Sequence, residues 1–196
     1  MLSAFLDFCR TEAVPRWAGI VISTETGIAA LLAVLFGVFG SGTAAASAGT
    51  GDVVLVLLAY AAIGFGFSVA GLTLVLTAPD REFAAQLAWT DPRQEGLANE
   101  APARSSYSNL LFIFSWTAVA HWALVVGSFA LLLALGRDTP LAADGSSARH
   151  LVAVSLVVFI TVYAVELFLV TVITLAQVGR VYVNRLQRNR PATHDD

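Results

Sequence analysis

Apolar residues gather in four long stretches of the chain, separated by segments rich in small residues, proline or charge. The stretches fall at about residues 17–40, 53–78, 109–136 and 151–179. Each reaches the roughly 20 residues that a helix needs to cross a hydrocarbon layer about 30 Å thick. The first is the least pure, because Ser23, Thr24, Glu25 and Thr26 interrupt it and residues 27–39 alone would be too short. The pattern predicts an all-α integral membrane protein, a bundle of four transmembrane helices over residues 17–179. Ahead of it, Leu2, Phe5, Leu6 and Cys9 recur at helical spacing, with Ser3, Asp7 and Arg10 on the other side. Residues 1–16 therefore read as an amphipathic helix lying in the membrane interface.

Composition agrees with the pattern. Hydrophobic residues make up 57% of the chain and charged ones 13%, against about 45–50% and 25% in an ordinary soluble domain. The mean hydropathy is +0.75. Too little polar side chain is present to clothe a water-soluble globule, so apolar surface must face acyl chains or other helices.

The direction of the spans follows from arginine, which stays on the cytoplasmic side. Arg10 and Arg16 precede the first span, Arg81, Arg93 and Arg104 lie in the 79–108 loop, and Arg180, Arg185, Arg188 and Arg190 lie in the 180–196 tail. Only Arg137 and Arg149 fall on the other side. Both termini and the middle loop are expected in the cytoplasm. The tail should continue the fourth helix out of the bilayer and contact anionic headgroups through its arginines. Every basic residue is arginine, which suggests a GC-rich bacterial source and hence the bacterial inner membrane. Asp7 stands where a secretory signal would be basic, so no cleaved leader is expected.

The connections differ in kind. Residues 41–51 are small and uncharged and read as a plain linker. In the middle loop, residues 80–89 could form a short helix capped by Asp80, with Phe83, Leu87 and Trp89 on the membrane surface. No internal repeat is evident, so an inverted-repeat transporter is not supported.

Candidate chemistry is confined to the membrane. A buried ionisable group there costs about 2.5–3.5 kcal/mol on insertion scales and calls for a partner or a wet cavity. Glu25, His121 and Glu166 are the candidates. Glu166 and His121 fall near the midplane by residue count, where antiparallel third and fourth spans would let them meet; Glu25 falls nearer the cytoplasm. They could line a pore, form a proton relay, or only fix helix packing. Ala59, Ala62, Gly66 and Ala70, with Gly64 and Gly71 nearby, form a small-residue stripe along which another helix could approach.

Several classes find no support. The net charge of −3 and the lack of a phosphate loop or basic stripe argue against direct nucleic-acid binding. One cysteine allows no intrachain disulfide. No metal motif, haem-ligand pair, nucleophile elbow or soluble catalytic domain is present, so no cofactor, metal or catalytic residue is expected. The leading expectation is a self-associating pore, channel or membrane-disrupting effector, a homo-oligomer controlled from the cytoplasm, whose partners are the lipid bilayer and a cytoplasmic or membrane protein. The alternatives are a non-conducting accessory subunit of a larger complex, and a small enzyme or proton-coupled carrier using Glu166 and His121.

Overall fold

Among the described residues the extended helices are α1 (Thr24–Phe39), α2 (Thr50–Leu76), α3 (Ser106–Leu135) and α4 (Ala148–Arg188). The computed structural model describes residues 10, 20, 23–39, 48–77, 106–141 and 148–188 of the 196. The predicted interfacial helix at 1–16, apart from Arg10, lies outside the described residues, as do the short helix at 80–89 and the last eight residues of the tail.

Three helices, α2, α3 and α4, are long and apolar enough to cross a membrane. At 1.5 Å per residue they measure about 40, 45 and 61 Å against the roughly 30 Å of hydrocarbon. The fourth helix runs on through the start of the basic segment to Arg188. With 16 residues, α1 measures about 24 Å, short of a full crossing. Its start is set by Ser23, whose Oγ accepts from the Thr26 N–H at 3.2 Å, an N-cap that satisfies one of the donors a helix leaves unpaired at its beginning.

The pairing of residues shows the direction of each helix. Gly64 and Gly71 of α2 oppose His121 and Phe114 of α3. Trp116 and Thr117 of α3 meet Tyr163 and Thr171 of α4, while Leu131 clusters with Val154 and Val157. On α1, Gly37 sits over Ser155 of α4, and Thr26 meets Tyr163. Residue numbers rise on one helix as they fall on its neighbour in all three cases, so the four run up, down, up, down.

Small residues decide how closely the helices approach. On α1, Ala29 and Ala33 are buried, and at Gly37 a methyl group would come within 2.7 Å of Ser155 Oγ. These three recur every fourth residue and draw α1 onto α4, with which alone it makes substantial contact. On α2 the packed face is Ala61, Gly64, Ser68 and Gly71. The rest of the surface is apolar: Ile63 is 68% exposed, Val152 67% and Leu133 86%. Such a surface suits acyl chains and not water.

At the far end from Tyr107 the two connections are tied together. The α2 N-terminus has no side-chain cap; its Thr50 and Gly51 N–H groups donate instead to the carbonyls of Thr139 and Arg137, each at 2.9 Å. Leu141 N–H returns the contact to Ala48 O at 3.2 Å, and His150 Nε2–H donates to Leu141 O at 2.8 Å. Gly136 ends α3 with φ 82°, a left-handed turn that glycine accepts without a steric penalty. The end of the predicted linker, residues 48–51, is therefore part of a loop-to-loop knot, because the orphan donors of α2 need acceptors and the α3–α4 loop supplies them.

Candidate functional site

Two groups of polar side chains lie inside the bundle. The first lies between α2, α3 and α4. His121 is fully buried, and its ring is packed on the Gly64 backbone so closely that a methyl group there would overlap it. Tyr60 and Phe168 flank the ring, with centroids 5.4 and 6.2 Å away. Nδ1 lies 2.8 Å from Thr117 O; a carbonyl only accepts, so Nδ1 carries the proton and, in the neutral ring, Nε2 keeps a lone pair. Nε2, the Tyr60 hydroxyl and Ser128 Oγ are buried with no hydrogen-bond partner.

Hydroxyls beside His121 are better satisfied. Those of Thr117 and Thr171 approach to 2.8 Å across the α3–α4 interface. One donates to the other, and the second donates to the carbonyl one turn back in its own helix. Ser68 Oγ donates to Gly64 O at 2.8 Å.

The second group joins α1 to α4 and α3. Trp116 Nε1–H donates to the Tyr163 hydroxyl at 2.8 Å. Thr26 of α1 lies beside Tyr163, and its Oγ1 donates to Ile20 O at 2.7 Å. One hydrogen bond thus joins α3 to α4, and the Thr26 hydroxyl brings α1 beside it. Beside it, Glu25 of α1 lies within electrostatic range of Glu166 of α4 and of Tyr163. Both carboxylates are half-buried, and Glu166 Oε2 has no hydrogen-bond partner.

Of the three candidates, Glu25 is within electrostatic range of Glu166, and His121 bonds neither. The expected meeting of His121 with Glu166 is not made as a hydrogen bond, since neither His121 Nε2 nor Glu166 Oε2 has a partner. The physical reason is angular. Thr171, Phe168 and Ala164 form the side of α4 that faces α3, whereas Ser155 and Glu166 face α1. Glu25 stands in the first turn of α1.

Among the described residues no helix of the same chain packs on the small-residue stripe of α2. Ala59, Ala62, Gly66 and Ala70 are all exposed, and nothing lies within 4 Å of a methyl group built on Gly66. Within the chain α3 uses the opposite face through Gly64 and Gly71, which receive His121 and Phe114. Sequence spacing admits both faces; the bulky partners opposite decide between them. The bond between Trp116 and Tyr163 was not foreseen, although a tryptophan and a tyrosine inside apolar stretches carry the signal, since each brings a donor that needs an acceptor. Arg180 is exposed on α4. Among the described residues no three His, Cys, Asp or Glu side chains group as metal ligands. The chain matches no family model, no curated protein and no solved structure.

Proposed function

We propose that the chain is a four-span protein of the bacterial cytoplasmic membrane, with both termini inside, that self-associates into a cation-conducting pore or membrane-disrupting effector. Control would come from the cytoplasmic side, through the 79–108 loop or the 180–196 tail. The observation that carries the reading is Glu166 on the apolar helix α4, its Oε2 buried without a hydrogen-bond partner, with Glu25 of α1 in electrostatic range. Two carboxylates at that depth are costly against acyl chains and become tolerable beside water or cations. The polar groups between α2, α3 and α4 are sealed by His121, Phe114 and Leu124, all fully buried, so a conducting path would run between copies and not through one.

The exposed stripe of Ala59, Ala62, Gly66 and Ala70 supplies a surface on which a neighbouring copy could pack closely. A contact between that stripe and the α1–α4 edge of the next copy is head to tail, and its repetition makes a ring where the rotation between copies closes. The same face would seat a larger membrane protein if the chain is an accessory subunit. A carrier working through His121 and Glu166 has less behind it, because no hydrogen bond links the two.

The test is reconstitution. Purified protein in liposomes should release a small cation, with Glu166→Gln changing the ion preference, and native mass spectrometry should show self-oligomers. Sealed liposomes would contradict conduction, and a stoichiometric foreign partner in gentle-detergent extracts would select the accessory reading.

A further inference from the structure

The close packing of α1 on α4 leaves a gap on its other side. A crevice of about 240 Å³ opens there, lined by Phe36 of α1, Val53 and Leu57 of α2, Leu131 of α3, and Val154 and Val158 of α4. All four helices contribute to it, and Leu131 and Val154 belong to the buried core of this end of the bundle. The crevice therefore enters the bundle and is not a furrow on its outside. Thr161 is the one polar side chain on its wall, and its hydroxyl is spent on Val157 O at 2.7 Å. A water molecule would find no partners, since buried water needs two to four polar contacts and apolar cavities of ~150 Å³ stay dry and take apolar guests.

We infer that this crevice binds one acyl chain of a zwitterionic phospholipid, of the phosphatidylethanolamine type, as an integral part of the bundle. The wall runs along α4 from Val154 to Val162, about 12 Å at 1.5 Å per residue, so it accepts a stretch of straight hydrocarbon. Its depth lies within the apolar stretches of three candidate spans, where acyl chains are the abundant apolar species. Its end is closed by Leu141, the residue held by Ala48 and His150 in the loop knot. Exposed charges of both signs belong to the segments that meet there, Arg137 and Asp138 shortly before Leu141, Asp52 after Gly51 and Arg149 before His150; the arginines can take a phosphate and the aspartates an ammonium. The lipid chain would replace the contact that α1 does not make with α2, and its loss would loosen α1.

The experiment uses the full chain. Protein is equilibrated with vesicles of equal phosphatidylethanolamine and phosphatidylglycerol, extracted in mild detergent and weighed by native mass spectrometry. The expected result is one phosphatidylethanolamine retained per copy through a delipidating wash. Val158→Trp, which fills the crevice, should reduce that retention at least fivefold while circular dichroism and oligomer size stay unchanged; Leu57→Phe serves the same end if the first variant does not fold. No retained phospholipid, retention of phosphatidylglycerol alone, or undiminished retention in a folded crevice variant would overturn the inference. Because the readout is bound lipid and not ion flux, it stands apart from the outcome for the pore.

Discussion

The imidazole of His121 lies directly on the backbone of Gly64, with its Nδ1–H spent on Thr117 O and its Nε2 unpaired. The contact fixes how α2 and α3 cross. Gly64→Ala should force the ring or the helix to move and cost about 1–3 kcal/mol, the usual price of overpacking. Two residues on, Gly66→Ala faces open space and should change stability by less than about 0.5 kcal/mol. Denaturation of the two variants in mixed detergent micelles compares them; equal losses would refute the packing described.

Self-association is separable from folding. Gly66→Leu adds bulk to the exposed stripe without touching α3. Helix content should be kept while oligomers disappear in native mass spectrometry. Oligomers of undiminished size would remove the stripe from the interface.

The hydrogen bond from Trp116 Nε1 to the Tyr163 hydroxyl is expected to contribute about 0.6 kcal/mol, and at most about 1.7, the range found for such bonds between membrane helices. A double-mutant cycle of Trp116→Phe and Tyr163→Phe measures it. A coupling energy indistinguishable from zero would show that the chain from indole to phenol is not formed in the membrane.

At the loop knot, Gly136 holds φ 82°. Gly136→Ala should cost about 1–2 kcal/mol, because a β-carbon crowds the following carbonyl in left-handed backbone. Faster hydrogen exchange at the Thr50 and Gly51 amides, which rely on the loop's carbonyls, should accompany the loss. Unchanged protection would mean that the knot does not depend on this turn.

Helices of this length were legible because the hydrocarbon imposes a run length that composition alone reveals. The registers between them were not. Ala59, Ala62, Gly66 and Ala70, and on the opposite side Ala61, Gly64, Ser68 and Gly71, are both small-residue faces of one helix, and only the bulk of His121 and Phe114 shows which of them α3 uses. Depth by residue count put Glu166 and His121 at one level but said nothing of angle, and angle is what turns Glu166 toward α1. The Ala29, Ala33 and Gly37 repeat could have predicted the α1–α4 contact, since it has the same spacing that marked α2. Ties between loops, such as Thr50 N–H to Thr139 O, leave no trace in periodicity, because backbone atoms make them.

Ion selectivity in a planar bilayer tests the proposed role of the Glu25–Glu166 pair most directly. Wild-type protein should pass cations in preference to anions, and the double variant Glu25→Gln with Glu166→Gln should lose that preference while still forming oligomers. Silent bilayers under every cytoplasmic condition tried, or a preference unchanged in the double variant, would contradict the account.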